Sequence, residues 1–308
     1  MVRDHWNFTA PPFDGSLEPG TFFCGAPQEE ALARLEWLAD ERQRFGLVVG
    51  AEGCGKSHLT AMAVRRLGGR GAEVALLSLR GLTPGDWIEM LLERLPLDAL
   101  SRSEPLRPWQ KLENRLRENT LMERTTALIV DDIDRAPVDA IDGVTRLISA
   151  AEPRYARVVV VATATPEGFA TLPGGIRQRA AVRIELNPWD ETDVAAYLSR
   201  ALERVGGSGE IFTAEAAATL ARFAGGVPRV VSQLAQLTLV AAAGDGLSQI
   251  DAATVERAWR ELVPSAAPPA SVPDAASSAG LAVIADDAED DEEPPGEPRV
   301  RVVRRLWG

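Results

Sequence analysis

The 308-residue sequence is poor in the residues from which disulfide frameworks, metal clusters and membrane spans are built. It has two cysteines, Cys24 and Cys54, and two histidines, His5 and His58. So few thiols and imidazoles exclude a disulfide framework and argue against a structural zinc site. No apolar run reaches the roughly 18 residues that cross a bilayer, and the N-terminus MVRDHWNFTAPPF has no apolar signal segment. We therefore expect a cytoplasmic protein.

Lysine is nearly absent as well, and its two positions are informative. All but two of the 33 basic residues are arginine; the exceptions are Lys56 and Lys111. Lysine differs from arginine in placing a compact point charge on a slim stem. Since the chain uses arginine at almost every other basic position, the lysine at position 56 indicates a need for such a compact charge there.

The net charge of −12 is unevenly distributed. Residues 264–308 hold nine acidic residues and four arginines, a net charge of −5, which leaves −7 on the rest. An acidic body argues against broad binding of nucleic acid, although a local basic patch remains open. Residues 264–308 are also rich in Ala, Pro and Ser, which predicts a disordered acidic tail. Its last ten residues, RVRVVRRLWG, are either a loose end or a docking peptide for a partner or for the chain's own acidic tract.

Five short apolar runs alternate with helical patterns in the first two thirds of the chain. Each run is apolar throughout rather than alternating, which is typical of strands covered on both faces. The pattern predicts a parallel sheet flanked by helices, an α/β core over residues 28–187. The runs are GLVVG (46–50), EVALLSL (73–79), ALIVDD (127–132), RVVVVAT (157–163) and AVRIEL (181–186).

After Asn187 and Pro188 the strand pattern stops and four helical patterns follow, separated by GGSGE, GGVP and GDGLS. They predict a small all-helical domain over residues 188–263. The four helices are expected at about 189–205, 213–224, 228–243 and 251–262.

The stretch GAEGCGKS, Gly50–Ser57, matches G-x-x-x-x-G-K-S and lies between a predicted strand and a predicted helix. Glycines at these positions let the backbone curl around a phosphate, and the helix N-terminus adds partial positive charge. Lys56 would contact the outer phosphates and the Ser57 hydroxyl would bind Mg²⁺, while the Cys54 thiol is expected to point away from them. The predicted nucleotide-binding residues are Gly50, Gly53, Cys54, Gly55, Lys56, Ser57 and His58.

Two adjacent carboxylates end the predicted strand TALIVDD. Asp131 is expected to be a partner of the Mg²⁺ held by Ser57. Asp132 is either the base that polarises the attacking water or a cap or turn charge. Asp134, just before the helical pattern VDAID, is expected to be a cap or turn charge.

Polar residues also follow the last two strands of the core. Thr163 and Thr165 end VVVVATAT, where a hydroxyl can sense a terminal phosphate, although the β-propensity of threonine explains either alone. Arg177 and Arg179 precede the last strand and are candidates for a guanidinium that reaches a neighbouring subunit's nucleotide. Arg229 begins a helix of the all-helical domain, in the motif GGVPR.

The set GAEGCGKS, LIVDDID, VVVATATP, IRQR and GGVPR, in this order, resembles the AAA+ ATPases. The stretches HWNFTAPPF, FFCGAPQEEALARLEWL and IFTAEAAATLARFAGGVPR resemble the secretion ATPase A (ExeA-like) group and related transposition helper ATPases. The resemblance covers about residues 5–262. It implies an αβα core with strand order 5-1-4-3-2, a helical lid over 188–263, and an N-terminal segment, residues 1–27, packed near the nucleotide site.

The resemblance also implies roles for individual residues. The implied roles are Lys56 and Ser57 as Walker A, Asp131 and Asp132 as Walker B, Thr163 as sensor 1, Arg179 as the better match to the arginine finger, and Arg229 as sensor 2. Asp132 stands where the family generally has Glu, which bears on the rate of hydrolysis.

These residues together predict a homo-oligomeric ATPase that binds ATP and Mg²⁺ and switches or remodels a macromolecular partner. Two alternatives remain open. One is an ATP-binding switch or scaffold with little turnover, and the other is an ATP-dependent DNA-binding helper, which the acidic charge does not favour.

Overall fold

The computed structural model describes residues 2–97 and 106–262. In chain order the strands are β1 Phe45–Gly50, β2 Glu73–Ser78, β3 Thr126–Asp131, β4 Val158–Ala164 and β5 Val182–Leu186. They form one sheet in the order β2-β3-β4-β1-β5, and all neighbouring strands are parallel. This is the predicted order 5-1-4-3-2 counted from the other edge, so the predicted fold is confirmed. Each strand begins and ends within one residue of its predicted run.

Helices cover both faces of the sheet and then form a separate bundle. In chain order they are α1 Val2–Trp6, α2 Ala26–Asp40, α3 Lys56–Gly69, α4 Asp86–Arg94, α5 Pro108–Leu121, α6 Val138–Ser149, α7 Pro166–Thr171, α8 Gly174–Arg177, α9 Glu191–Arg204, α10 Ala214–Ala224, α11 Pro228–Gly244 and α12 Ala252–Leu262.

The strands are apolar on both faces because both faces are buried. In β4, Val159 and Val161 point to the cluster that contains the apolar side chains of α2 and α3. Val158 and Val160, which alternate with them, join the opposite cluster with α4, α5 and α6. A strand with helices on both sides loses the polar half of the usual alternation, which explains the uniformly apolar runs.

The bundle of α9, α10, α11 and α12 has its own buried core. Side chains cap three of its helices: Asp190 Oδ1 accepts from the Asp193 N–H at 2.8 Å, Thr213 Oγ1 from the Ala216 N–H at 3.1 Å, and Asp251 Oδ1 from the Thr254 N–H at 2.9 Å. Such caps satisfy N–H groups that the first helical turn leaves unpaired. The predicted helices of this domain therefore form where their breaks and caps indicate.

The N-terminal segment packs on the bundle before it reaches the sheet. Trp6, Phe8 and Phe13 are buried in the core of the bundle, although they precede it by almost 200 residues. The Trp6 indole Nε1 donates to the Leu239 carbonyl at 3.3 Å. The segment therefore completes the bundle instead of forming a unit of its own.

The predicted acidic tail, residues 264–308, falls outside the described residues. Within residues 2–97 and 106–262, no helix is both long and apolar enough to cross a bilayer.

Candidate functional site

The loop between β1 and α3 curls at a glycine that no larger residue can replace. Gly53 has φ +82°, a left-handed conformation that costs little only for glycine. A Cβ there would also lie 2.9 Å from Val227 Cγ1 and 3.0 Å from Arg229 Cβ. The loop therefore turns tightly against the first turn of α11 and leads directly into the N-terminus of α3.

Lys56 and Ser57 begin α3 and point their polar atoms to different groups. Lys56 is 7% exposed, and its Nζ donates to the Gly50 carbonyl at 2.7 Å and the Ala51 carbonyl at 3.1 Å. Its ammonium thus lies within the loop, where phosphate oxygens would compete with these carbonyls for its protons. The Ser57 hydroxyl donates to Asp131 Oδ2 at 2.7 Å.

A hydrogen-bonded chain joins the P-loop, the segment Gly50–Ser57 that connects β1 to α3, to the ends of two strands. Thr163, fully buried in β4, donates to Asp131 Oδ1, and its hydroxyl accepts from the Asp132 N–H at 2.9 Å. Asp131 is therefore held between Ser57 and Thr163. A hydroxyl beside a carboxylate is the hard oxygen donor set that suits Mg²⁺, so these residues fit the predicted metal.

Asp132 adopts a left-handed backbone conformation, with φ 57° and ψ 50°. The chain bends here rather than continuing the pleat, and the half-buried Asp132 borders the same cavity as Lys56. Burial raises the pKa of the Asp132 carboxyl above its ordinary value, and the charges of Asp131 and Asp134 raise it further. Lys56 and Arg135 act in the opposite direction. The Asp132 carboxyl group thus belongs to a half-buried, charged corner of the cavity.

Asp134 is not the cap or solvated turn charge that the sequence suggests. Its Oδ2 accepts from the Thr165 N–H at 3.1 Å and from the Thr165 hydroxyl at 2.6 Å. The helix behind it, α6, begins after Pro137 without a side-chain cap. The prediction was wrong because the sheet order brings the end of β4 within reach, and sequence distance does not show this.

A cavity of about 840 Å³ extends from the P-loop between the sheet and the bundle. Three parts of the chain wall it: the P-loop and Asp132, the N-terminal residues 12–17 and 21–23, and the facing sides of α9 and α11. A volume of this size is within the range of sites for small ligands and cofactors.

Aromatic rings tie the N-terminal wall to the bundle wall. Tyr197 of α9 lies 5.6 Å from Phe13, 5.8 Å from Phe23 and 4.8 Å from Trp189 between ring centroids. Edge and tilted contacts of this kind add to the burial of the rings. The side of the cavity that faces away from the sheet is therefore fixed by residues distant in sequence.

Arg229 lies at the contact between bundle and P-loop. Its backbone N–H donates to the Gly53 carbonyl at 3.2 Å, and its side chain borders the cavity. Pro228 occupies the first turn of α11, where its missing N–H costs nothing. The GGVPR corner therefore faces the P-loop, as its predicted phosphate-reporting role requires.

Arg177 and Arg179 do not border the cavity of their own chain, and both are exposed. Arg177 stacks over the Phe169 ring at 6.0 Å, next to Arg183 at 4.3 Å. Within the described ranges, no hydrogen-bond or ion-pair partner is found for the Arg179 side chain. This difference makes Arg179 the freer of the two guanidiniums.

Cys54 and His58, the remaining predicted loop residues, differ in their contacts. The Cys54 side chain is buried in the cluster on the α2 and α3 side, and burial raises the pKa of its thiol. The His58 ring Nε2 lies 3.0 Å from the Ser16 carbonyl, joining α3 to the N-terminal segment. Cys54 is thus a packing residue, while His58 helps to fix one wall of the cavity.

The chain is similar to known proteins in sequence and in fold. Residues 39–169 match the family model described as AAA domain. The predicted resemblance to AAA+ ATPases is therefore confirmed. The matched residues include the P-loop, the Asp131–Asp134 turn and the end of β4.

A curated relative extends the likeness beyond the AAA domain. General secretion pathway protein A of Aeromonas hydrophila is 25% identical over 256 residues, which cover 81% of this chain and 46% of the relative. The chain thus spans less than half the length of that protein.

Solved structures share the fold at lower identity. Cdc6p from Pyrobaculum aerophilum has a TM-score of 0.61 at 15% identity, covering 80% of this chain and 70% of that one. Drosophila ORC bound to DNA has a TM-score of 0.63 at 19% identity, covering 85% and 66%. The Thermotoga maritima RuvB Holliday junction branch migration motor has a TM-score of 0.54 at 15% identity, covering 80% and 73%. These likenesses show the same fold.

Two arginines that border the cavity were not singled out from the sequence. Arg80, at the end of β2, and Arg204, on α9, both border the cavity. Arg204 also donates to the Pro12 carbonyl at 2.7 Å. Because the chain is rich in arginine, no local sequence pattern distinguishes these two residues from the others. They are distinguished only by their position, Arg80 after a strand and Arg204 on a helix that faces the cavity.

Proposed function

We propose that this chain binds ATP with Mg²⁺ and hydrolyses it as an AAA+ ATPase that switches a macromolecular partner. The observation that carries the proposal is the hydrogen-bonded chain from Ser57 through Asp131 and Thr163 to Asp132. It places a hydroxyl, a metal-binding carboxylate and a second, half-buried carboxylate beside the P-loop. A protein that only held phosphate would not need the second carboxylate.

Each polar group has a distinct role in this proposal. Lys56 binds the outer phosphates, and Ser57 with Asp131 holds Mg²⁺. Held by these two residues, Mg²⁺ would supply positive charge that offsets the negative charge developing on the phosphates. Asp132 accepts a hydrogen bond from the attacking water and orients it. Arg229 contacts the terminal phosphate from the bundle side.

A direct test compares phosphate release by the wild type with that of Lys56→Ala and Asp132→Asn. Both substitutions are expected to lower the rate by about 10²-fold or more, because one removes phosphate binding and the other the base. Only Lys56→Ala is expected to weaken binding of a fluorescent ATP analogue.

Matched controls are available within the chain. Lys111→Ala, the other lysine, and Asp142→Asn, on the exposed side of α6, lie outside the cavity. They should release phosphate at the wild-type rate. Equal rates in all five proteins would rule out hydrolysis at this site.

Arg179 is proposed to act on the nucleotide of a neighbouring subunit. Its support is its exposure, its lack of a partner among the described residues and its absence from the cavity of its own chain. An arginine supplied in trans stabilises transition-state charge, with effects of about 10³–10⁵-fold on rate in systems that use it.

Mixing two inactive variants tests this arrangement. Arg179→Ala keeps an intact cavity and Asp132→Asn keeps an intact arginine, so mixed oligomers should recover part of the activity. Arg177→Ala, whose guanidinium is stacked on Phe169, is the matched control and should stay active alone. No recovery on mixing, at concentrations where oligomers form, would contradict action in trans.

A second candidate function is an ATP-dependent switch with little turnover. It is favoured by the short side chain of Asp132, one methylene shorter than the Glu usual in the resembled family. ATP would then raise the melting temperature while phosphate release stays at background. Asp132→Glu should accelerate release if length limits the reaction; a slower Asp132→Glu protein would instead support Asp132 as the evolved base.

The partner is proposed to be a protein rather than duplex DNA, because the body carries a net charge of about −7. The likeness to ORC bound to DNA and to a branch migration motor motivates a direct comparison. ATP-dependent retention on DNA that weakens with salt would reverse the preference. An Asp132→Asn pull-down, which holds the ATP state, should retain a protein that Lys56→Ala does not.

A further inference from the structure

The Asp134 carboxylate connects the turn after β3 to the end of β4. Asp134 Oδ2 accepts from both the N–H and the hydroxyl of Thr165, at 3.1 and 2.6 Å. Asp134 Oδ1 is buried without a hydrogen-bond partner among the described residues. The whole contact therefore runs through one oxygen and one threonine.

The space around this contact is closed. A Cβ on Gly168, in α7, would lie 1.9 Å from Asp134 Oδ2 and 2.3 Å from its Cβ. The Thr165 hydroxyl also accepts from the Gly168 N–H at 3.0 Å, which caps α7. Asp134 is thus seated between a strand end and a helix start and has little freedom to move.

Asp132 lies two residues before this anchor and needs it. Its left-handed backbone is a conformation that non-glycine residues seldom adopt, so the surroundings help to hold it. On one side the Asp132 N–H is bound by Thr163 at 2.9 Å; next along, Ile133 is fully buried; then Asp134 is bound by Thr165. Thr163 lies in β4 and Thr165 immediately follows the strand, so both threonines stand at the end of β4 beside this turn.

We propose that Asp134 is a positioning residue that, with Thr165, holds the Asp132 turn against the end of β4 and thereby orients the Asp132 carboxylate towards the P-loop. This inference rests on the proposed function for its effect on rate. The two threonines then act together on one turn, since Thr163 fixes its start and Thr165 fixes its end.

The kinetic test uses Asp134→Ala and Asp134→Asn. The amide oxygen of Asn can accept both Thr165 bonds, whereas Ala accepts none. Asp134→Ala should lower kcat for phosphate release by about 10-fold or more while KM and the Kd of a fluorescent ATP analogue stay within about twofold. Asp134→Asn should restore most of the lost turnover.

Matched variants of Thr165 separate the contribution of its hydroxyl from that of its backbone N–H. Thr165→Val removes the hydroxyl but keeps the N–H, so a loss between wild type and Asp134→Ala is expected. Thr165→Ser should restore it. An unchanged kcat in Asp134→Ala, or a loss shared equally by kcat and ATP affinity, would overturn the positioning role.

Hydrogen exchange provides a readout that does not depend on hydrolysis. In Asp134→Ala, the amides of residues 131–136 and 163–168 should exchange faster, while those of the P-loop should not. Asp134→Asn and the surface control Asp142→Ala should match the wild type. If these amides exchange equally fast in Asp134→Ala and in the wild type, the inference is wrong, even if the wild type hydrolyses ATP. If they exchange faster in Asp134→Ala but the wild type does not hydrolyse ATP, the anchoring contact is supported and only the proposed ATPase activity is rejected.

Discussion

The two walls of the cavity are held in place by different kinds of contact. On the sheet side, Asp131 and Thr163 end neighbouring parallel strands, and a backbone ladder fixes their spacing. On the bundle side, Tyr197 is positioned by ring packing with Phe13 and Phe23 of the N-terminal segment, and Arg229 by a backbone bond to Gly53. The sheet wall therefore supplies groups whose spacing a backbone ladder sets, and the bundle wall supplies groups whose positions depend mainly on side-chain packing. Substitutions on each wall, and the reactivity of the thiols, test this difference between the two walls.

The largest effect is expected from breaking the packing of the bundle wall. Trp6 is 8% exposed and lies within the bundle core, so Trp6→Ala should lower the free energy of unfolding by about 3–5 kcal/mol. Urea denaturation followed by circular dichroism measures this. Trp37→Ala, whose ring is 45% exposed on α2, is the control and should cost less than about 1 kcal/mol. Equal losses would mean that the N-terminal segment does not stabilise the bundle.

On the sheet wall, Asp131→Asn should impair metal-dependent binding. Loss of a carboxylate held between Ser57 and Thr163 should weaken ATP binding by about 10–100-fold when Mg²⁺ is present, because the neutral amide no longer attracts the ion. Titration with a fluorescent ATP analogue should show almost no loss in EDTA. Asp142→Asn should bind as the wild type does. A loss of the same size with and without Mg²⁺ would indicate a folding defect.

Arg229→Ala tests what the bundle wall contributes to nucleotide binding. Removing its guanidinium should weaken ATP binding by about tenfold and leave ADP binding unchanged, because the contact that we propose is to the terminal phosphate. Parallel titrations with ATP and ADP analogues measure the difference. Arg222→Ala, an exposed arginine of α10 stacked on Phe223, is the matched control. Equal losses for ATP and ADP would contradict a role at the terminal phosphate.

The smallest effect concerns the thiols. Burial, with a hydrogen bond to Glu29, raises the pKa of Cys24 to about 11, and burial raises that of Cys54. Below its raised pKa the Cys24 thiol stays protonated, so at pH 8 only about one molecule in 10³ carries the thiolate. Iodoacetamide should therefore label both cysteines more slowly than a free thiol, and Cys24 should accelerate as pH approaches 11. Fast labelling of Cys54 would place it on the phosphate side of the loop.

Elements with a local signal could be predicted from sequence. The five strands were found to within one residue, because strands buried on both faces are continuous apolar runs. The P-loop could be located because its glycines, lysine and serine are adjacent in the chain. The Asp131 and Asp132 pair was found for the same reason, but whether Asp132 bends towards the P-loop depends on Thr163, which is 31 residues away.

Asp134 shows where local inference failed. Its neighbours in sequence suggested a helix cap, yet its partner is Thr165 at the end of the next strand in the sheet. The N-terminal aromatics are similar: Phe13 and Tyr197 are far apart in sequence, and only their common packing makes them one wall of the cavity.

The sequence by itself determined the order of the strands and helices and the candidate residues for binding phosphate and metal, because these depend on short-range pattern and on side-chain chemistry. The tertiary structure alone decided which hydroxyl meets which carboxylate. That choice depends on the order β3-β4-β1, which places Thr163 and Thr165 beside the Asp131–Asp134 turn, and a hydrogen bond requires distances near 3 Å that no spacing along the chain specifies.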